Sequence, residues 1–259
     1  INRMDNGTVD GTGTNAGGTL YINLIDDLHL VTAVTAVNPD GGFLFTEITP
    51  GSYTLQLTTI PGTPGSPPPF SEMPKNWVYT GELIGTGAGS DGMADGLLIP
   101  SSEESDHNGE LKFGIVKVAD MTTTVTTTPN VINGMTSFTI IVKVAELNQA
   151  DTYGPVVLAI PKDSRWTLDG LYDQGLGAIE NTALNNGDWV YSSDENVHRF
   201  SHPLVIPGGT FTTFAFKAIF QPGSTRGVFT ITAQIISGSG GETQLSNGSD
   251  SEKLDYFSE

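Results

Sequence analysis

Short runs in which apolar and polar residues alternate predict β-strands through the first half of the chain. Leu20, Ile22 and Leu24 fall on one face of the first run, with Tyr21 and Asn23 on the other. Further strands are predicted at 31–37, 43–45, 53–57, 97–99 and 111–118. Because turn-forming Pro, Gly, Asn and Asp residues separate the first four of these runs closely, the pattern predicts an antiparallel meander or sandwich.

The second half continues the same pattern with longer strands. Phe138, Ile140, Val142 and Val144 alternate with more polar positions, as expected of a strand with one buried face. Other strands are predicted at 121–128, 154–160, 189–191, 211–220, 229–235 and 253–257. Residues 169–189 are irregular and leave room for one short helix. This spacing is that of an immunoglobulin-like sandwich without its Cys and Trp signature.

Two places in the sequence suggest how the chain is organised. Pro61 to Pro69 reads as a surface loop, and residues 61–72 are expected to be the least ordered internal segment because they bury little apolar surface. No Gly/Ser tether follows residue 118. We therefore predict two β-sandwich domains, 1–118 and 119–259, joined end to end by a short stiff connection.

Composition supports an all-β fold and excludes some classes of binding partner. The 259 residues include 32 Gly and 15 Pro, which is unfavourable for long helices. The net charge of −18 opposes binding to nucleic acid and to anionic lipid. No apolar run approaches the roughly 18 residues of a membrane-spanning helix, so direct membrane insertion is not expected. The surplus carboxylates either bind Ca²⁺ or keep an extracellular protein soluble.

The absence of cysteine bears on location. With no Cys in the chain, disulfides, thiolate metal sites and cysteine nucleophiles are excluded. Extracellular eukaryotic β-domains commonly carry disulfides, so a bacterial surface protein is the better expectation, with a cytosolic location left open. The first residues, Ile1 to Asp5, have neither an initiator Met nor an apolar signal stretch. We interpret the chain as a mature protein or a segment of a longer one.

Several phrases resemble known surface-protein modules. Gly42-Phe43-Leu44-Phe45 followed by Ile48 to Leu55 resembles the core motif of prealbumin-like sandwiches of the collagen-adhesin B type. The segment 10–18 and the phrases at 77–82 and 85–92 are similar to modules of very long Bacteroidota adhesins. In the second half, the phrases at 160–170, 188–193 and 237–243 resemble a module that follows in such proteins. The resemblance implies a prealbumin-like domain followed by an immunoglobulin-like domain.

Two acidic loops are candidate Ca²⁺ sites. One contains Asp5 and Asp10, and the other contains Asp91 and Asp95. Asp, Asn and Gly-rich loops supply the six to eight hard oxygen ligands that Ca²⁺ prefers, although neither loop has the EF-hand spacing. The family resemblance adds that related B-type modules bind Ca²⁺ in acidic loops. The alternative is that these residues only shape turns.

Other chemistry has less support in the sequence. His198 and His202 share one face of a predicted strand but would lie about 13 Å apart, too far for one Zn²⁺. No Gly-x-Ser-x-Gly nucleophile motif occurs, whereas a glycosidase-like carboxylate pair stays open. The resemblance also raises a Lys–Asn isopeptide cross-link, for which Lys143 and Asn247 are conceivable partners in the second half, but nothing in the sequence specifies their contact.

The function that we predict is a non-enzymatic stalk segment of a bacterial cell-surface adhesin or extracellular fibre. Its expected partners are neighbouring copies or modules of the same surface protein. The alternative is a ligand-binding adhesion module for a glycan or a protein, for which Tyr79, Tyr172 and Tyr191 are the candidate contact residues. A secreted hydrolase is the third and least favoured alternative.

Overall fold

A computed structural model of the chain describes residues 9, 11–18, 20–84, 93–99, 111–179, 181–244 and 246–258. The chain divides into two compact units, Ile1–Lys117 and Val118–Glu259, named here unit 1 and unit 2. Among the described residues, the only helical elements are two 3-10 turns, Asn186–Asp188 and Ser239–Gly241. The predicted all-β fold class is therefore confirmed. The sequence-based boundary after residue 118 falls next to the division, and the end-to-end arrangement stays a prediction.

Within the described residues, no helix combines the length and the apolar character that a membrane span requires.

Unit 1 is built from short antiparallel strands. They are β1 (Tyr21–Ile25), β2 (Val31–Ala36), β3 (Thr54–Thr58), β4 (Trp77–Ile84), β5 (Leu97–Leu98) and β6 (Leu111–Lys117). In the first sheet the order is β2-β1-β3-β5, and β4 pairs with β6 separately. The two layers share one apolar core, as expected for a sandwich.

The core of unit 1 follows the alternation in the sequence. Ile22 and Leu24 of β1 lie opposite Leu57 and Leu55 of β3, and all four are buried. Aromatic and aliphatic side chains of β4 and β6 pack against this core from the other layer.

The predicted strand at 43–45 is wrong, although its alternation has a physical cause. Residues 43–46 form no strand ladder. Phe43 and Phe45 are half-buried and pack against the core of unit 1, and Phe43 contacts the ring of Phe113 at 6.3 Å between centroids. Alternate side chains thus face the core without a hydrogen-bonded neighbouring strand.

The polar face of β1 and β3 is covered by the Pro-rich segment. Asn23, Gln56 and Thr58 are buried on this face, and they bond to backbone groups of residues 60–72. The N–H and C=O of Val31 pair with Ser66 and Gly65 of the same segment. The expectation that residues 61–72 are the least ordered segment is not supported, because buried side chains hold this stretch in place. We call residues 60–72 the anchored loop.

Unit 2 contains longer strands. They are β7 (Met121–Thr128), β8 (Val131–Asn133), β9 (Thr136–Glu146), β10 (Val156–Pro161), β11 (Trp166–Leu168), β12 (Ala178–Ile179), β13 (Thr182–Ala183), β14 (Val190–Ser193), β15 (Val197–His202), β16 (Phe211–Phe220), β17 (Gly227–Ile235) and β18 (Ser249–Phe257). One sheet has the order β14-β15-β10-β17-β18-β8 and the other β11-β16-β9-β7. Among the pairings of described strands, β8 with β18 is the parallel one.

The two sheets of unit 2 enclose an aromatic core. Phe214 of the four-stranded sheet packs against Phe200 in the six-stranded sheet, with the two rings tilted and 4.5 Å apart between centroids. Trp166 and Trp189 are both buried, and Trp189 Nε1 donates to Thr212 Oγ1 at 3.2 Å. A core assembled from both sheets confirms that unit 2 is a β-sandwich.

Candidate functional site

Of the four predicted calcium ligands, one lies within the described residues. Asp5, Asp10 and Asp91 lie outside the described residues. Asp95 is described, and its Oδ1 accepts a hydrogen bond from Leu97 N at 2.9 Å, which is a turn-shaping role. No group of three or more His, Cys, Asp or Glu arranged to hold a metal ion occurs in the part of the chain that the structure describes. Calcium binding stays a prediction.

The three tyrosines proposed as ligand contacts use their hydroxyls internally. Tyr79 donates to the carbonyl of Leu57 at 2.8 Å, and Tyr172 donates to the carbonyl of Asn186 at 3.2 Å. Burial raises the pKa of Tyr79 to about 12, with the nearby carboxylates of Asp95 and Glu82 adding to the rise. These rings serve packing, and the structure gives the glycan-platform hypothesis no support from them.

The histidine pair occupies the interior of unit 2. His198 and His202 both lie on the buried face of β15. His198 Nδ1 is 2.8 Å from the hydroxyl of Tyr191, and its ring lies 4.8 Å from that of Trp166. Burial, with a smaller contribution from the charge of Lys162, lowers the pKa of His198 to about 4. His198 is therefore neutral near pH 7 and belongs to the core.

Three buried acidic side chains, Asp120, Glu146 and Glu242, lie near the start of β7 where unit 2 begins. Glu146 is the last residue of β9, and its Oε1 accepts from the backbone N–H of Asp120 at 3.2 Å and of Asn148 at 2.8 Å. Its Oε2 accepts from the N–H of Gly209 at 2.7 Å. One carboxylate thus bonds to the backbone at three places: the residue before β7, the turn after β9 and the loop before β16.

Glu242 and Asp120 tie the start of β7 to the chain that leads into β18. Glu242 accepts hydrogen bonds from the backbone N–H of Met121 and of Gln244. Asp120 Oδ1 accepts from Asn247 Nδ2 at 2.6 Å. Burial raises the pKa of Glu242, the backbone donors oppose the rise, and the negative charge of Asp120 adds to it. We call Asp120, Glu146, Glu242 and Asn247 the entry cluster.

The contacts continue along β7 and β18. Thr122 Oγ1 donates to the carbonyl of Asn247 at 3.1 Å, and the N–H of Val125 donates to Asp250 Oδ2 at 2.9 Å. Beyond β7, β8 pairs with the end of β18 in parallel. Residue numbers rise together along both segments, so the first and last strands of unit 2 run side by side in the same direction. We call these contacts, with the entry cluster, the terminal-strand clamp.

The structure separates the residues considered for an isopeptide cross-link. Asn247 bonds to Asp120, whereas Lys143 is exposed on β9 with its Nζ 4.0 Å from the centre of the Phe211 ring. Lys143 also pairs with Thr124 across the β7–β9 ladder, where Thr124 is an exposed residue of β7. Lys143 and Asn247 are thus engaged with different partners.

Sequence reasoning missed the entry cluster, although one signal was present. Glu146 continues the inward positions of Phe138, Ile140, Val142 and Val144 along β9. An acidic residue in register with a buried face must find hydrogen-bond partners, because burying an unpaired charge is costly. That register indicates a polar cluster, but it does not identify Asp120 or Glu242 as its neighbours.

Comparisons with known proteins return structural matches only. No family model matches the chain. No curated protein matches it either.

Several solved structures resemble the fold at low identity. The major pilin subunit BcpA of Bacillus cereus is 11% identical, with 95% of this chain and 67% of that chain covered and a TM-score of 0.44. The major pilin SpaD of Corynebacterium diphtheriae is 14% identical, with 98% and 60% covered and a TM-score of 0.37. A CARDB domain from Pyrococcus furiosus, solved with two metal ions, is 14% identical, with 56% and 98% covered and a TM-score of 0.34. At these values the matches establish no shared function or family.

Proposed function

We propose that the chain is a non-enzymatic, load-bearing segment of a bacterial surface adhesin or extracellular fibre. The observation that carries the proposal is the terminal-strand clamp, in which β7 and β18 run side by side in the same direction. The extracellular location and the neighbouring modules of the same protein as partners belong to this proposal. The net charge of −18, which favours solubility, and the absence of cysteine support the extracellular location.

The mechanical argument follows from the direction of the two strands. Force that enters unit 2 at Val118 pulls β7 toward its own start, and force that leaves after Phe257 pulls β18 toward its own end. Parallel neighbours then slide along each other, so their links are loaded together rather than one after another. Hydrogen bonds to charged acceptors, such as the bond from Val125 to Asp250, are stronger than neutral ones and strengthen this resistance.

The links extend over the whole length of the two segments. At the far end, the N–H of Asp255 donates to the carbonyl of Asn130 at 3.0 Å, and the N–H of Gly134 donates to the carbonyl of Phe257 at 2.9 Å. At the near end, Asn247 donates to Asp120. A stalk needs such a distribution because one failed link leaves the others in place.

Single-molecule force spectroscopy tests the proposal. The chain has no cysteine, so introduced cysteines can attach handles at chosen positions. We compare a pull through residues 1 and 258 with a pull through residues 135 and 258, which peels β8 from β18. Unit 2 is expected to unfold at a clearly higher force in the first geometry, because forced unfolding reports the unfolding barrier.

Matched variants identify the links that bear the load. Thr122→Val and Asp250→Ala remove contacts of the clamp and are expected to lower the unfolding force. Thr126→Val changes an exposed residue of the same strand and serves as the control. Equal forces in both pulling geometries would contradict a load-bearing role. A glycan array and a hydrolase screen test the two alternative functions, and specific binding or turnover there would replace the proposal.

A further inference from the structure

The anchored loop displays an aromatic side chain in water. Phe70 follows Pro67, Pro68 and Pro69, and 91% of its surface is exposed. An apolar ring at such exposure has no role in the core of unit 1. The rest of the loop differs from an ordinary surface loop, because its backbone is bound to buried side chains on both sides of this tetrapeptide.

Asn23 fixes the part of the loop that precedes the prolines. Its Nδ2 donates to the carbonyl of Ile60 at 3.2 Å and to Gln56 Oε1 at 3.0 Å. Its Oδ1 accepts from the N–H of Gly62 at 2.8 Å. Gly62 can approach this closely because it lacks a side chain: a Cβ there would lie 2.8 Å from a methyl carbon of Val31.

Gln56 and Thr58 fix the part that contains Phe70. Gln56 Nε2 donates to the carbonyl of Pro69 at 2.8 Å. Thr58 Oγ1 donates to the carbonyl of Phe70 at 3.2 Å and accepts from the N–H of Glu72 at 3.1 Å. The backbone on either side of the ring is thereby held by side chains of the central strand β3.

The three prolines remove most of the remaining freedom. Each ring fixes φ near −65°, and each residue that precedes a proline is restricted to extended conformations, so residues 67–69 favour polyproline II geometry. A segment that is already ordered loses little entropy on binding. The arrangement combines a rigid backbone, an extended Pro run and a protruding aromatic ring, which are features of a binding element rather than of a loop that only connects strands.

We propose that residues 67–70 dock into a groove of a protein partner that is lined with aromatic rings and rimmed with Lys or Arg. Aromatic-lined grooves recognise polyproline II segments, and Phe70 supplies an anchor for an adjoining pocket. The cationic rim follows from the exposed Glu72, two residues after Phe70, and from the net charge of −18. The same charge opposes a second copy of this chain as the occupant. This inference does not depend on the load-bearing function.

The experiment measures binding of the full chain to purified domains of the SH3, WW and EVH1 classes, chosen to include members with basic groove rims, by isothermal titration calorimetry. We expect such a domain to bind, and Phe70→Ala to weaken the affinity by about tenfold or more. Leu171→Ala is the matched control, because Leu171 is 94% exposed but lies on a loop of unit 2. Its affinity should equal that of the unchanged chain.

A second variant tests the anchoring. Gln56→Leu removes the donor to Pro69 and leaves Phe70 in place, so affinity should fall while circular dichroism shows a folded chain. Failure of every basic-rimmed domain to bind overturns the proposal, and so does binding that Phe70→Ala leaves unchanged. Concentration-dependent dimerisation that Phe70→Ala abolishes, measured by sedimentation equilibrium, would identify a second copy as the occupant and would also overturn it.

Discussion

Asn247 donates a 2.6 Å hydrogen bond from its Nδ2 to Oδ1 of Asp120, a residue 127 positions earlier in the chain. This single contact joins the entry to the first strand of unit 2 with the entry to its last strand. Because the two strands run in the same direction from this point, the contact sits where a pull on the N-terminal side is first felt. The same hydrogen bond is therefore part of the entry cluster and one of the links that the terminal-strand clamp places under load.

Asn247→Asp is expected to destabilise unit 2. The change replaces the amide donor by a carboxylate next to Asp120, which loses one hydrogen bond and adds like-charge repulsion. Loss of a half-buried bond to a charged group costs about 1–3 kcal/mol in the free energy of unfolding near pH 7. The measurement is urea denaturation. Asn196→Asp, in an exposed turn, is the control, and an equal loss there would contradict the prediction.

Glu242 is expected to make unit 2 more stable as the pH falls toward the weakly acidic range. Its pKa in the folded protein lies above the ordinary value of 4.5, chiefly because the carboxyl is buried. The folded state therefore takes up a proton more readily than the unfolded state. The contribution of Glu242 to stability is fully present below its unfolded pKa and is lost as the pH rises through its folded pKa.

Glu242→Gln isolates this dependence. The difference in unfolding free energy between the unchanged chain and Glu242→Gln should shift in favour of the unchanged chain as the pH falls from 8 toward 4, because only the unchanged chain can bind the proton. Glu195→Gln, in an exposed turn, controls for general charge effects. A difference that is flat with pH, or that shifts in the opposite direction, would contradict the assignment.

The extent to which the sequence predicts this molecule depends on the kind of residue. Apolar alternation finds β9 and β17, because one buried face demands a period of two. The alternation fails to predict a strand correctly at Phe43 and Phe45, whose side chains alternate although the segment has no strand partner. A period of two shows which side chains face the core, but it does not show whether the backbone forms hydrogen bonds with a neighbouring strand. The alternation also says nothing of what lies on the polar face.

The anchored loop and the entry cluster could not be predicted from the sequence, for a related reason. Asn23 and Gln56 are polar residues at positions that a one-sided sheet would expose, and their partners are backbone groups of the anchored loop. Glu146 and Glu242 are far apart in the sequence, and nothing in either segment points to the other. The burial of apolar side chains leaves a periodic pattern in the sequence, whereas hydrogen bonds between polar groups that are distant along the chain leave none.

Asn23→Ala is expected to release the first part of the anchored loop. The substitution removes the bonds to Ile60, Gly62 and Gln56, and it leaves part-buried backbone groups of Ile60 and Gly62 without this partner. The expected loss in the free energy of unfolding is about 1–3 kcal/mol. Hydrogen exchange followed by mass spectrometry should show faster exchange in the anchored loop. Thr35→Ala, on the edge strand β2 of the same sheet, should leave exchange in the loop unaltered.

Calcium is expected to stabilise unit 1 through the acidic loops that contain Asp10 and Asp91. A ligand that binds only the folded state raises the melting temperature, so calorimetry should show a higher value with Ca²⁺ than with a chelator at constant ionic strength. Asp91→Asn should reduce the shift, whereas Asp27→Asn, in an exposed turn between β1 and β2, should not. Identical melting curves with Ca²⁺ and with chelator would remove the calcium hypothesis.

Two neighbouring glycines provide a test of how tightly the clamp region is packed. Gly238 and Gly240 have φ angles of 78° and 65°, so an alanine at either position adopts a left-handed backbone. That strain alone costs roughly 1 kcal/mol. The two sites differ in space: a Cβ at Gly238 meets no described atom within 4 Å, whereas at Gly240 it would lie 2.7 Å from Val156 Cγ2 and 2.8 Å from Met121 Cε.

Gly240→Ala should therefore destabilise unit 2 more than Gly238→Ala, by a further ~1–3 kcal/mol for overpacking. Met121 is the first residue of β7 and bonds through its N–H to Glu242, so a displaced Met121 also disturbs the entry cluster. The two variants are compared by urea denaturation, and the force to unfold unit 2 should fall for Gly240→Ala more than for Gly238→Ala. Equal losses of stability would show that the turn at 239–241 yields without moving β7, and the tight packing inferred at the start of the clamp would then be wrong.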